Sequence, residues 1–367
     1  MLFDDWPFHI GATMSPANPG GIPSRFPFEF FVDERLKLLS QRPSEELRRL
    51  LQQVYSLGVS FGTPLSHDPA GLEYAEDFLT FVSDTAPGRG RGLEIGAGTG
   101  YLSKRLTELG YEMVSLEPGA GFGDKWAGYG VKVISDFFPS QKALGPFDFI
   151  FVYGVLEHVE DPVAFLAEVS KHLSKKGVAF FSVPDCSEEI AEGDPSILVH
   201  EHFSYFDANS FERIFTHAGL SAVVKPSSHG RTLFAAVQKE SSQSPMSIGS
   251  QTILLSFPDR ASSFVQQVRR RLLETSQSKE TGIFVAGRAL GMIPSGVSIR
   301  FFDDDPNLHG LYLPPYESKI ENSEDLIANP VEVLIIASIT FGKKISDKLR
   351  EKGFVGEIQT LDQLVEG

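Results

Sequence analysis

The stretch HEHFSYF, residues 200–206, sets two imidazoles around a carboxylate in a chain with nine histidines. Histidine changes charge near neutral pH, and a neighbouring carboxylate can orient its ring. His200, Glu201 and His202 therefore suit proton removal, metal ligation or hydrogen bonding to backbone. A single short loop rarely brings three ligands into good metal geometry, and no metal is expected here. A second stretch, LEIGAGTG at 93–100, ends an apolar run on Glu94 and follows it with Gly96, Ala97, Gly98 and Gly100. Such glycines let the backbone turn sharply and let a ligand approach with no Cβ in the way. The free N–H groups of the helix that follows would meet that ligand.

Spacing narrows the ligand class. Dinucleotide sites favour G-x-G-x-x-G beneath a pyrophosphate, whereas this loop reads E-x-G-x-G-x-G. A carboxylate beside the loop disfavours a pyrophosphate and suits a cationic amino acid moiety.

The elements that must hold these residues follow from hydrophobic period. Short apolar runs (RGLEI, YEMVSLE, VKVIS, FDFIFVYG, VAFFSVP, SAVVKPS and TLFAAVQ) alternate with amphipathic segments, which predicts βαβ units and a mostly parallel sheet of seven strands. In DPVAFLAEVSKHLSKKG, Asp161 is placed to cap, Pro162 sits at the first helical position, and Gly177 can end the helix. After HEHFSYF a helix capped near Asp207 should turn Phe211, Ile214 and Phe215 inward. The loop carrying His200–His202 then lies at the carboxyl ends of the strands, where open α/β sheets bind ligands. A Pro-, Gly- and Phe-rich leader with one helix is expected over 1–65, and an α/β domain over 66–240. A polar linker over 241–252 and a smaller α/β domain of four short strands over 253–367 complete the expected organisation.

Composition removes other functions. The 33 basic and 48 acidic residues leave a formal charge of −15, which repels polyanions, so nucleic acid is not an expected partner. No apolar run approaches the ~20 residues that cross a bilayer, no membrane partner is expected, and the acidic start MLFDDWPFHIGATMS does not read as a secretory signal. A cytoplasmic location is expected. The lone cysteine, Cys186, excludes intrachain disulfides and thiolate zinc sites.

The glycine loop resembles motif I of class I S-adenosylmethionine-dependent methyltransferases, and the likeness spans roughly residues 88–183. It implies a Rossmann-like fold and S-adenosylmethionine as cofactor. It also implies Glu117 on the ribose hydroxyls, Asp136 and Phe137 around the adenine, and the familiar phrase VLEHVEDP after the fourth strand. A narrower likeness, to sugar C-methyltransferases acting on nucleotide-linked keto-sugars, rests on the E-H-x-x-Y/F core, HGRTLF, and FFDDDPNLHGLYLPPY. It implies a small-molecule acceptor, His202 as the base or its partner, Glu201 orienting it, and His158 nearby.

It also implies a small Rossmann-like C-terminal domain that packs over the acceptor site and holds a nucleotide or phosphate, with Arg288 as a contact. The chain departs from that group in lacking a cysteine-held zinc domain, in Val199 where tyrosine is usual, and in Gly230, Arg231 and Thr232 where Gly-Gly-Ser is common. An O-methyltransferase and a noncatalytic methyltransferase-like module are the alternatives. The oligomeric state is left open, a homodimer among the options.

Overall fold

The computed structural model describes residues 1–8, 11–56, 69–119, 123–239, 251–285, 287–338 and 342–366. Two compact units emerge, and neither is continuous in sequence. One comprises Phe30–Glu188 and Glu201–Leu255; the other comprises Met1–Glu29, Glu189–His200 and Ser256–Gly367. This differs from the chain-order division at 65/66 and 241–252. The residues expected to form a leader are split, and the expected linker falls mainly on 240–250, outside the described residues.

The N-terminal residues build β1 (Leu2–Pro7), β2 (Arg25–Asp33), β3 (Leu38–Gln41), α1 (Glu45–Ser56) and α2 (Pro69–Thr85). β1 pairs antiparallel with the first half of β2, Phe3 opposite Phe28 and Trp6 opposite Phe26. The second half of β2 pairs with β3, Phe31 opposite Ser40. The stretch read as a leader is thus largely strand, because Phe28 and Phe30 alternate to one face and are fully buried.

The first unit centres on β4 (Arg91–Ile95), β5 (Glu112–Leu116), β6 (Val133–Ile134), β7 (Phe147–Tyr153), β8 (Leu173–Pro184), β10 (Ser221–Pro226) and β11 (Thr232–Gln238). Between them lie α3 (Tyr101–Glu108), α4 (Gly123–Tyr129), α5 (Pro162–His172), α6 (Ser187–Glu192), the two-residue β9 (Ser204–Tyr205) and α7 (Ala208–His217). The seven strands run in the order β10-β11-β8-β7-β4-β5-β6. All pairs are parallel except those made by β11, which is antiparallel to both its neighbours. The chain winds one way from β4 to β6 and the other way from β7 to β8. The β4/β7 boundary is therefore a topological switch point, where such sheets bind ligands.

Side chains alternate along each strand and feed two cores. Ile150, Val152, Phe181 and Val183 pack with Leu166 and Phe211 on one face. Phe149, Phe151 and Phe180 pack with Phe78, Val82 and Leu106 on the other. Asp161 caps α5 by accepting from Ala164 N at 2.9 Å. That helix ends at His172 and not at Gly177, because Leu173 is extended and pairs with Phe147 of β7.

The chain continues through α8 (Gln251–Ser278), whose larger part belongs to the second unit, to β12 (Thr281–Phe284), β13 (Arg300–Phe302), β14 (Ile320–Glu321), α9 (Ser323–Ala328), β15 (Val333–Ile336), α10 (Gly342–Glu351), β16 (Glu357–Thr360) and α11 (Leu361–Glu366). This second sheet is parallel and ordered β14-β13-β12-β15-β16. It has five strands where four were expected, since β14 is too short to show a period. Trp6 ties the N-terminal residues to this unit: its Nε1 donates to Leu198 O at 2.7 Å. A Cβ on Gly291 would come within 2.3 Å of its ring.

Downstream of HEHFSYF, α7 begins with a capping box. Asp207 Oδ1 accepts from Ser210 N at 2.7 Å and Ser210 Oγ accepts from Asp207 N at 3.0 Å. Asp207→Ala should cost ~1 kcal/mol, read as a lower urea midpoint at unchanged slope; an unchanged midpoint would show that the cap does not hold this helix.

Candidate active site

The loop between β4 and α3 turns through Gly96, Gly98 and Gly100, all at positive φ. Gly96 is held by close packing: a Cβ there would lie 2.4 Å from Val155 Cγ2. Gly98 differs, because its Cβ would meet nothing within 4 Å. Among the described residues, the backbone at Gly98 therefore faces open space. Gly96 N and Ala97 N both donate to Leu116 O at 2.9 Å, so the loop is stitched to the end of β5. Trp126 of α4 donates from Nε1 to Gly98 O at 2.8 Å.

Glu117 follows β5 and is 9% exposed. Its Oε2 accepts from Gly98 N at 2.8 Å and its Oε1 from Gly119 N at 2.7 Å. Burial pushes its pKa up, and the two backbone donors oppose that shift. Glu94, expected on the loop's ligand side, is only 2% exposed and accepts a hydrogen bond from Ser103 Oγ, which also bonds Ser115 Oγ. Its carboxyl lies beneath the loop, and burial pushes its pKa up to about 8. Asp136 is solvated and serves its own turn, accepting from Phe137 N at 3.0 Å and Ser140 Oγ at 2.8 Å. The Phe137 side chain is 64% exposed.

On the other side of the switch point, β7 runs into a single 3-10 turn, Leu156–His158. Glu157 is 4% exposed, its Oε2 has no hydrogen-bond partner among the described residues, and burial pushes its pKa up to about 8. His158 Nδ1 lies 3.0 Å from Glu201 O, and burial takes the imidazole down to about 4. A carbonyl can only accept, so Nδ1 carries the hydrogen and Nε2 is the ring's open acceptor.

The His158 and His202 rings are 4.7 Å apart and nearly perpendicular, and His202 Nε2 is 3.8 Å from Glu201 Oε1. Phe203 N donates to Glu157 O at 2.7 Å, and Tyr205 Oη donates to His202 O at 3.1 Å. The structure thus brings Glu201, His202 and His158 together. It separates His200, which belongs to the other unit: its ring nitrogens lie 3.0 Å from Pro7 O and 3.1 Å from Phe26 O, among Phe8, Phe26 and Phe28.

Sequence reasoning missed three residues. Glu157 stood in view inside VLEHVEDP but passed as part of a phrase. Tyr55, at the end of α1, has its pKa raised by burial of the phenol and then by the charges of Glu201, Glu117 and Glu157. Charges at the glycine loop and at the histidine cluster both act on it, and nothing in its local sequence signals that. Trp126, on the glycine loop, is the third. The Arg288 side chain lies outside the described residues.

The folded chain keeps the Glu94 proton to about pH 8, whereas an ordinary glutamate loses it near 4.5. Between those values the folded state binds more protons than the unfolded state, so stability falls as pH rises. Glu94→Gln removes that slope. Denaturant midpoints of the unmodified chain should decline relative to the variant from about pH 5 to about pH 8; parallel midpoints would mean that Glu94 is ionised throughout.

Residues 67–225 match the family model described as a methyltransferase domain. No curated protein matches the chain. Among solved structures, the chain is similar to the DhpI–SAM–HEP complex at 20% identity, over 54% of this chain and 100% of that one, with a TM-score of 0.44. It is also similar to the Burkholderia thailandensis 1,6-didemethyltoxoflavin-N1-methyltransferase, at 13% identity over 57% and 98% of the two chains, with a TM-score of 0.42. The glycopeptide N-methyltransferase MtfA complexed with (S)-adenosyl-L-methionine matches at 14% identity over 46% and 94%, with a TM-score of 0.38. At these identities nothing about acceptors transfers.

Proposed function

We propose that this enzyme methylates a small molecule, a nucleotide-linked keto-sugar, at the carbon beside its ketone. The observation that carries the reading is the meeting of the Glu201–His202 loop with the Glu157–His158 turn, beside the switch point that also holds the glycine loop. When bound, S-adenosylmethionine supplies a methyl group on a sulfonium centre, already activated toward a nucleophile. The cradle fits it: Gly98 leaves room for close approach, and Glu117 presents a carboxylate at the loop.

Gly96, Ala97, Gly98 and Gly100 are assigned to shaping that cradle, Glu117 to the ribose hydroxyls, and Asp136 with the exposed Phe137 to the adenine. Glu94 is assigned to the cofactor end through the loop it supports from beneath.

On the acceptor side the chain must orient the substrate and remove a proton. His202, Glu201 and His158 are assigned to that step. Burial keeps His158 neutral at physiological pH, and the Glu201–His202 pair offers both a carboxylate and an imidazole beside it. The carbon–hydrogen bond beside the ketone breaks, its proton passes to this cluster, and its electron pair forms the new bond to the methyl carbon. Methylation at oxygen is the second reading, favoured by Val199 where sugar C-methyltransferases usually carry tyrosine.

Calorimetric titration should show S-adenosylmethionine binding that Glu117→Ala weakens by about tenfold or more, the loss expected for a hydrogen bond to a charged group. No binding by the unmodified chain would sink the cofactor cradle. In deuterated water, keto-sugar nucleotides should exchange the proton beside the ketone, and His202→Ala should abolish that exchange. Absence of exchange across a broad panel favours the oxygen acceptor.

A further inference from the structure

We infer that Glu157, His158 and His202 form a binding site for a divalent transition-metal ion. Their ligand atoms all lie within 4.8 Å of one another. They come from two separate loops, which removes the geometric objection to three ligands from one short stretch.

Two features of the cluster point to an ion. Glu157 is almost fully buried, yet its Oε2 has no hydrogen-bond partner among the described residues. A buried carboxylate oxygen left unmatched is costly, and in native proteins such a group calls for an explanation. A cation at the cluster relieves it directly.

His158 is the second feature. Its Nδ1 donates to the backbone carbonyl of Glu201 at 3.0 Å, which fixes the tautomer and leaves Nε2 as the ring's acceptor. Metal-bound histidines are held in this way, one nitrogen on a carbonyl or carboxylate and the other on the ion. Two imidazoles and one carboxylate suit zinc, iron(II), cobalt or manganese over calcium or magnesium. Three protein ligands leave coordination positions open.

The use of the ion rests on the methyl-transfer reading; its binding does not. An open position would take the acceptor's ketone oxygen, draw electron density from the carbonyl, and make the neighbouring carbon–hydrogen bond more acidic. Glu201, whose Oε1 lies 3.8 Å from His202 Nε2, then receives the proton. The ion stays in place, and the only bond broken at this stage is carbon to hydrogen.

The test uses the full chain, stripped with a chelator and then freed of it. Zn2+ titrated by calorimetry and Co2+ followed by visible absorption should each report one ion per chain. Glu157→Gln should weaken binding by more than the roughly 10–100-fold that loss of an outer-shell partner costs, while still binding S-adenosylmethionine. As a measurement that needs no variant, Zn2+ should shift the imidazole nitrogen resonances of His158 and His202 and leave those of His200 unmoved. Failure of the unmodified chain to take up either ion, equal uptake by Glu157→Gln, or unmoved His158 and His202 resonances each overturn the site. Proton exchange by a chain that takes up no ion would remove the metal and leave the methyl-transfer reading standing.

Discussion

The end of the seven-stranded sheet that carries the glycine loop depends on one carboxylate. Glu117 leaves the end of β5 and accepts from Gly98 N and Gly119 N, so a single side chain joins the glycine loop to the neighbouring strand. Without it the loop would be held to β5 by the two donors to Leu116 O. Those bonds fix Gly96 and Ala97 but not the glycine that faces open space. The arrangement has an electrostatic consequence. Glu94 lies beneath the loop, Glu117 beside it and Glu157 after β7, so acids gather where parallel strands end. Burial pushes all three pKa values upward.

The Glu201–His202 loop is positioned by backbone more than by side chains. Phe203 is bonded on both sides: its N–H donates to Glu157 O, and its carbonyl accepts from Gln41 N. β3 continues the grip, with Leu39 opposite Tyr205 and Ser40 opposite Ser204. The His202 loop is therefore the edge of a small antiparallel ladder. Groups held this way keep their geometry at little entropic cost when a substrate arrives. It also explains why residues far ahead of the glycine loop matter to the site, since β3 and Tyr55 both come from there.

What the sequence revealed, and what it hid, follows from the range of the interactions. The seven strands, the glycine loop and the caps at Asp161 and Asp207 are set by residues a few positions apart. Period and spacing exposed them. The N-terminal strands were hidden because prolines and glycines interrupt an alternation that only pairing completes. Membership of residues 1–29 in the second compact unit depends on contacts such as Trp6 with Leu198 and Gly291, which no local pattern encodes. Glu157 was hidden for another reason. Its type and position were plain, but its importance lies in burial without a partner, a property of the folded chain alone.

HEHFSYF shows how far such properties separate neighbours. His200 and His202 are chemically identical and two residues apart. His200 has both ring nitrogens facing carbonyl oxygens and three phenylalanine rings around it, and burial takes its pKa down to about 4. Those surroundings commit it to structure. His202 lies beside a carboxylate, a second imidazole and an unmatched buried acid. The residue between them serves both chemistry and geometry, since the Glu201 carbonyl orients His158 while its carboxylate faces His202. A histidine pair in sequence is therefore no guide to a histidine pair in space. The pair that meets in space here is His158 with His202, and the backbone of Glu201 orients its first member.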